Sequence, residues 1–455
     1  MIAPRLRLIV LIALLLLPAA ALAAWRSSWV PAAWGVTALM ATAAVLDAVF
    51  ARQRFAGLQV TAPAIVRMTV NHAASIRLIV SNGRSSALPV RVGLALPAAL
   101  TSGQDDERLH LNRSRESHTL AWPCRALRRG RFLLSACHIE LPSYLGLWSL
   151  RRRFAMHSEI RAYPDLTAGQ KHLAGLYNRR EWGLRCLRKL GKGREFEQLR
   201  DYMQGDSYED VDWKATARRR YPITRVFQVE QSQEIYVVLD ASRLSTRNAD
   251  YVRDRRQLSR SDDDTAGAAI FESYIGAALV MALSAERAAD RYGLLIFGSR
   301  PDCFIKAGRG RAHYNACREA LYNRMPSSVS PDFDELFTFI GTHIRKRALL
   351  IFLTHLDDPL MSESFIGAMR TCARRHVVMV NMFRPAGAYP LFSSADIHNE
   401  NGIYEHLAGH MIWQSISNTR RKLRQYGAGL TLLNKDTICS QLVGQYMEIK
   451  QQQVL

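Results

Sequence analysis

The chain has no phosphate-binding P-loop, no Gly-x-Ser-x-Gly nucleophile elbow and no His-Glu-x-x-His zinc motif, so three large enzyme classes lose their usual signature. Its seven cysteines (Cys124, Cys137, Cys186, Cys303, Cys317, Cys372 and Cys439) form no CxxC pair and no zinc-ligand spacing. Their odd number leaves one unpaired in any disulfide scheme. Scattered thiols of this kind read as reduced, buried residues of a cytosolic domain. Acidic residues are scarce too: 40 stand against 61 lysines and arginines, a formal charge of +21. The surplus favours anionic partners, whether lipid headgroups, nucleic acid or acidic protein surfaces, without choosing among them. A composition of 48% hydrophobic and 22% charged residues excludes a disordered chain, and 455 residues exceed one ordinary core.

Long apolar runs occur in one place only, the first 54 residues. Residues 8–24 and 29–45 each approach the roughly 20 apolar residues that a helix needs to cross a bilayer. Arg5 and Arg7 precede the first run, Arg26 lies between the two, and Arg52 and Arg54 follow the second. That distribution predicts a transmembrane helical hairpin over residues 1–54, with both ends on the cytoplasmic side of a bacterial inner membrane. Trp25, Trp29 and Trp34 sit where an interfacial belt would lie. A rival reading is a cleaved signal peptide, since Ala21-Leu22-Ala23 fits an A-x-A site. The second run would then still span, with Arg52 and Arg54 inside, so either reading leaves the bulk of the chain in the cytoplasm.

Over residues 55–165 short stretches alternate apolar and polar, as in 65–70, 75–80 and 90–96. With the turn dipeptide Asn82-Gly83 they predict a small β-sandwich-like domain. Residues 166–190 read as a basic helical connector carrying Lys171, Arg179, Arg180, Arg185, Arg188 and Lys189. Within 191–455, continuous apolar strands near 235–239, 294–297, 348–354, 377–383 and 430–433 are separated by helical stretches, the last two at 415–426 and 438–451. That order predicts an α/β fold with a doubly wound, mainly parallel sheet covered on both faces. Ligands in such sheets bind at the carboxyl ends of the strands.

The densest pattern runs through Glu195, Phe196, Arg200 and Tyr202, then Gly205-Asp206, then Asp212-Trp213-Lys214 and Arg218, and ends in the strand closing on Asp240-Ala241-Ser242. It resembles the bacterial family called domain of unknown function 58, whose order is G-x-G-x-E-F, L-R-x-Y, G-D and D-W-x-A-x-A-R before a von Willebrand factor A-like strand. Arg129-Gly130, Gly146-Leu147-Trp148 and Tyr163-Pro164 resemble that family's preceding β-domain. Gln204 stands where the family usually has proline, and Glu209 where it usually has a basic residue. From their own chemistry, the opposite charges of the segment predict local ion pairs. Its aromatics predict packing that clamps it onto the sheet, or alternatively a face for a partner.

The resemblance implies a von Willebrand factor A-like domain, membrane attachment and partnership with a MoxR-type AAA+ ATPase in assembly or maturation of membrane and envelope proteins. It also implies a metal-ion-dependent adhesion site for Mg²⁺. Asp240 and Ser242 match the first two ligand positions, Leu244 occupies the third beside Ser245, and His355 stands where relatives carry aspartate, with Asp357 and Asp358 following. Imidazole suits Mg²⁺ poorly, so a degenerate site at Asp240, Ser242 and Asp357 is the expectation. The leading function is therefore a membrane-anchored protein-binding scaffold and not an enzyme. Two alternatives remain open. Asp206, Asp212 and Lys214 resemble the acidic and Asp-x-Lys elements of metal-dependent nucleases. Arginine runs at 128–129, 151–153 and 218–220 would suit nucleic acid, although no reader motif accompanies them.

Overall fold

The computed structural model describes residues 1–26, 29–83, 88–111, 117–167, 189–204, 206–229, 233–246, 263–385, 387–391, 400–434 and 437–452. The chain divides into two compact units, Met1–Asp165 and Leu166–Leu455.

The first unit opens with a short strand β1 (Ile2–Pro4) and two apolar helices, α1 (Leu6–Trp25) and α2 (Val30–Ala51). Helix α2 and the turn continuing it, Val30–Phe55, are long and apolar enough to cross a membrane, whereas the apolar stretch of α1 counted over the described residues alone, Leu6–Ala21, is shorter. Their outward side chains, Leu14, Leu17, Leu39 and Leu46 among them, are exposed. The strands that follow are β2 (Leu58–Thr61), β3 (Ile65–Thr69), β4 (Ala73–Asn82), β5 (Leu88–Leu94), β6 (Leu100–Thr101), β7 (Glu107–Leu111), β8 (Ser117–Ala126), β9 (Gly130–Pro142) and β10 (Trp148–Tyr163). They form two sheets, β1-β10-β9-β5-β7 with β3 beside β10, and β2-β4-β8-β6. Neighbours are antiparallel except β3 and β10. Period-two alternation decides the faces: Ile76, Leu78 and Val80 of β4 are buried while Arg77 and Ile79 are not. These side chains join Trp122 of β8 and Val90, Leu134 and Ile139 of the other sheet in one core.

The helices are tied to this unit by polar contacts at a single turn. Arg54 donates from Nη1 to the carbonyls of Pro142 (2.6 Å) and Ser143 (2.9 Å). Trp148 Nε1 donates to Ala44 O (2.9 Å), and buried Asp47 accepts from the Leu145 amide (3.0 Å). At the start of α1 the Arg5 amide donates to Leu147 O (2.9 Å). The beginning of α1 and the end of α2 thus meet at the β9–β10 turn.

The second unit starts with β11 (Lys189–Asp201), helix α3 (Trp213–Arg219) and β12 (Ile223–Val229), in which β11 and β12 pair antiparallel. Most of the connector expected at 166–190 lies outside the described residues, and its last two residues, Lys189 and Leu190, begin a strand instead of ending a helix. Next come β13 (Glu234–Asp240), α4 (Asp263–Arg287), β14 (Arg291–Phe297), β15 (Pro301–Gly308), α5 (Arg311–Leu321), α6 (Phe333–His343), β16 (Leu349–Leu353), α7 (Pro359–Ala373), β17 (Val377–Phe383), α8 (Glu400–Gln425), β18 (Gly429–Leu433) and α9 (Ile438–Gln451). The sheet order is β15-β14-β13-β16-β17-β18, parallel throughout except for the β15 edge. Successive strands therefore step outward from β13 in one direction and then, from β16, in the other, which puts a topological switch point between β13 and β16.

Both faces of these strands are buried, which is why they read as unbroken apolar runs. Ile235, Val237 and Leu239 of β13 enter a core with α4, α5 and α9, while Tyr236 and Val238 enter a second core with α6, α7 and α8. Among the described cysteines, Cys124, Cys137, Cys317 and Cys372 are buried free thiols, and burial pushes Cys137, Cys317 and Cys372 up to about 12, so they stay protonated. One polar hub closes the amino edge of the sheet. Asp290, 1% exposed, accepts from the Gln233 amide (3.1 Å), from the Tyr446 hydroxyl and from Lys450 Nζ (2.7 Å). Removing it strands a half-buried ammonium and two donors. Asp290→Ala is expected to cost about 2–4 kcal/mol, read as a lowered thermal transition of the detergent-purified protein.

Candidate functional site

The carboxyl end of β13 carries the residues that the sequence singled out for metal. The last residue of β13, Asp240, is fully buried. Its Oδ1 accepts from the Ser242 amide (2.8 Å) and its Oδ2 from the Thr354 hydroxyl, just past the end of β16. Asp240 and Thr354 thus join the two strands that flank the switch point. Ser242 Oγ accepts from the Leu244 amide (3.3 Å), an ST-turn that folds the chain back after the strand. A covering segment is laid over this turn: Ser327 N donates to Ala241 O and Arg243 N to Val329 O, each at 2.8 Å.

Leu244, at the third ligand position, is buried in the core shared by α6, α7 and α8. Ser245 beside it is buried as well. His355 sits against Tyr274, whose hydroxyl lies 3.2 Å from Nδ1. Asp357 is near enough to Tyr274 for its charge to help raise that phenol, after burial and Asp240. Asp358 accepts from the Leu360 amide (3.0 Å) and caps α7. A hard divalent ion takes six or more oxygens. Here the third position is apolar, both oxygens of the first carboxylate already accept hydrogen bonds, and no group of three His, Cys, Asp or Glu converges among the described residues. The donor set does not fit Mg²⁺ without rearrangement.

Burial holds the Asp240 carboxyl above its ordinary value, against the lowering effect of its bonds to Ser242 and Thr354.

The signature segment is arranged differently from the expectation. Its charges do pair locally: Arg200 Nη2 bonds Asp206 Oδ1 (2.6 Å), and Asp206 Oδ2 accepts from the Met203 amide (3.0 Å). Asp212 Oδ1 accepts from the Ala215 amide (3.0 Å) as the N-cap of α3, while Oδ2 lies 3.4 Å from Arg225 Nε. Every carboxylate oxygen of Asp206 and Asp212 is therefore committed to holding the backbone or an arginine. Lys214 and Arg218 project from α3, both exposed. Three of its aromatics, however, do not clamp the segment down, and the side chain of Phe196 lies outside what is described. Trp213 is 56% exposed, Tyr208 is 72% exposed, and the two meet edge to face with centroids 5.3 Å apart; Tyr202 is exposed too. The backbones of Glu195 and Phe196 register with Gln228 and Phe227 of β12, and Gly205 lies outside the described residues. The physical reason for the correction is local. A helix of seven residues held by a cap and a hairpin has no apolar stripe to bury, and none of its residues is buried.

Sequence reading also missed the first half of α8, which was expected to begin at Ser415. Residues 412–423 of this helix pack on the sheet, through Ile412, Trp413, Ile416 and Leu423. Before them Ile403, Tyr404, Leu407 and Met411 are all exposed. The helix has 26 residues, about 39 Å at 1.5 Å per residue, whereas β18 beneath it has five, about 17 Å. Because α8 runs from the carboxyl end of β17 to the amino end of β18, the surplus turns extend beyond the carboxyl edge. The signal was the i, i+4, i+8 spacing of Ile403, Leu407 and Met411, obscured by the turn-like dipeptide Asn401-Gly402.

Residues 198–389 match the family model described as "Protein of unknown function DUF58", which bears out the resemblance carried by the signature segment. No curated protein matches the chain. Among solved structures, the conserved hypothetical protein BatB from Bacteroides thetaiotaomicron is 12% identical, covering 48% of this chain and 100% of that one with a TM-score of 0.29. An aerotolerance-related membrane protein from Bacteroides fragilis, carrying multiple mutations to serine, is also 12% identical and covers 48% of this chain and 99% of its own, with a TM-score of 0.27.

A carboxyl whose folded pKa lies above its ordinary 3.8 destabilises the fold when it ionises: its contribution is complete below 3.8 and is lost as pH rises through the folded value. Asp240→Asn keeps the acceptor for the Ser242 amide and removes that ionisation. It is expected to match or exceed wild type in thermal transition at pH 7–8 and to flatten the decline above pH 4, as measured by melting curves across pH.

Proposed function

We propose that the chain is a membrane-anchored scaffold that binds other proteins at the carboxyl edge of its α/β sheet. The observation that carries this reading is the overhanging start of α8. A contiguous row of Ile403, Leu407 and Met411 with Tyr404 beside it is costly to leave in water, at roughly 25 cal/mol per Å², and marks a surface that another protein covers. It lies at the edge where doubly wound sheets place their sites. The Asp240 turn contributes shape at that edge as a degenerate adhesion site whose first carboxylate is held by the Ser242 amide and the Thr354 hydroxyl.

Anchorage is by a two-helix hairpin in the bacterial inner membrane, with both soluble units in the cytoplasm. The reading is supported by the meeting of the start of α1 and the end of α2 at one turn, which suits a hairpin entering and leaving on the same side. The arginines around the two helices give the same orientation. The partner we assign is a MoxR-type AAA+ ATPase, in assembly or maturation of membrane and envelope proteins, following the family resemblance. A nuclease role for Asp206, Asp212 and Lys214 finds no support in carboxylates that are fully occupied by structural bonds.

Two measurements test the proposal. A green fluorescent protein fused after Leu455 should fluoresce, and an alkaline phosphatase fusion at the same point should be inactive; the reverse pattern overturns the orientation. Leu407→Asp with Met411→Asp should weaken co-purification with the ATPase by about tenfold or more while leaving the thermal transition near wild type, because neither side chain is in the core. Unchanged capture by this variant, or no association with or without ATP, refutes the binding surface or the partner respectively.

A further inference from the structure

Helix α3 poses a separate question. Seven residues are too few for a helix to persist alone in water, and none of these seven is buried. The helix is held by hydrogen bonds at its ends: the Asp212 cap, the bond from the Ile223 amide to Thr216 Oγ1 (3.0 Å), and the bond from the Asp212 amide to Ile223 O (2.8 Å). It therefore presents its side chains outward from a fixed platform. On that platform stands the Tyr208–Trp213 pair, and at its far end Arg218, Arg219 and Arg220 follow in succession, with Lys214 one turn before Arg218. Among the described residues no carboxylate pairs with Lys214, Arg218 or Arg220.

Arg220 adds a second, independent observation. It closes the helix in the left-handed region, φ 62°, where an L side chain is strained and glycine is favoured. A cationic side chain at this position costs the fold, and among the described residues the guanidinium finds no acceptor that would offset the cost.

We infer that the Tyr208–Trp213 pair and the basic end of α3 form a docking face for an acidic segment of a protein partner. An apolar side chain of the segment seats on the two rings, and its carboxylates meet Lys214, Arg218 and Arg220. Charge complementarity selects this occupant. The carboxylates of Asp206 and Asp212 are consumed internally, so the basic end is a local positive field, yet Asp201 and Glu209 remain exposed on the same segment. A uniformly anionic bilayer would repel those two, whereas a peptide places its charges only where cations stand. The face is distinct from the α8 surface and does not depend on it.

The test uses the full-length protein in detergent micelles. The probe is a fluorescein-labelled peptide of glutamates flanking a central Phe-Leu pair, followed by fluorescence anisotropy. Binding should weaken by about tenfold or more when the glutamates are replaced by glutamine, and in Trp213→Ala, and should fall with added salt. Arg220→Gly is the decisive variant. It should raise the thermal transition, by relieving the left-handed strain, and at the same time weaken binding, an outcome that misfolding cannot produce. Leu407→Asp should leave peptide binding unchanged, so failure of the α8 surface is separable from failure of this one. Absence of peptide binding, equal binding of the glutamine peptide, or full affinity in both Trp213→Ala and Arg220→Gly overturns the inference. Trp213-dependent binding to phosphatidylglycerol vesicles with no binding of the peptide overturns it in favour of a membrane contact.

Discussion

The central strands of the second unit are buried on both faces, and the placement of the polar groups around that sheet follows from this. β13 sends alternate side chains into two separate cores, and β16 does the same with Leu349, Ile351 and Leu353 on one side and Leu350 and Phe352 on the other. No ligand or partner reaches such a sheet through its faces without unpacking a core, at a cost of several kcal/mol for each large side chain displaced. Asn381, fully buried inside β17, is an exception; the charged groups that stand out lie at strand ends and on segments outside the sheet. Asp240, Ser242 and Thr354 lie at the carboxyl ends, Asp290 and Lys450 at the opposite edge, and the charged signature segment on a hairpin of its own.

The two sets of carboxylates illustrate how burial separates structural from electrostatic roles. Asp240 is fully buried, so desolvation raises its pKa while its bonds from Ser242 and Thr354 work against that rise, and the carboxyl links two strands. Asp206 and Asp212 are half-buried beside arginines and backbone amides, whose bonds make them clamps for turns. Neither arrangement leaves carboxylate oxygens aimed at a common point. Adhesion-site ligands and nuclease carboxylates share residue types with these positions, but chemistry depends on convergence, and here each carboxylate is held by one backbone amide and one side chain of its own surroundings.

In the first unit the corresponding constraint is the tie between apolar helices and β-strands. Ala51 and Phe55 enter the β core, so the end of α2 is continuous with that core through a short turn. Rigid attachment of this kind means that the orientation of the helices and of the β-strands is one variable within the unit, set by the β9–β10 turn.

Strand positions, the apolar amino-terminal helices and the family pattern were legible in the amino-acid order because each rests on local periodicity: a two-faced strand needs an unbroken apolar run, and the DUF58 segment repeats a fixed series of residues. The pairing of Arg200 with Asp206 was likewise local, six residues apart. Three features depended on tertiary contacts. The exposure of Trp213 and Tyr208 was hidden because an aromatic side chain looks the same in sequence whether or not a core is near it. The overhang of α8 arises from the mismatch between one helix and the strand it covers, two lengths that are independent in sequence. The union of Asp240 with Thr354, more than a hundred residues apart, exists only because the strand order reverses between β13 and β16, and no local periodicity encodes which strands become neighbours.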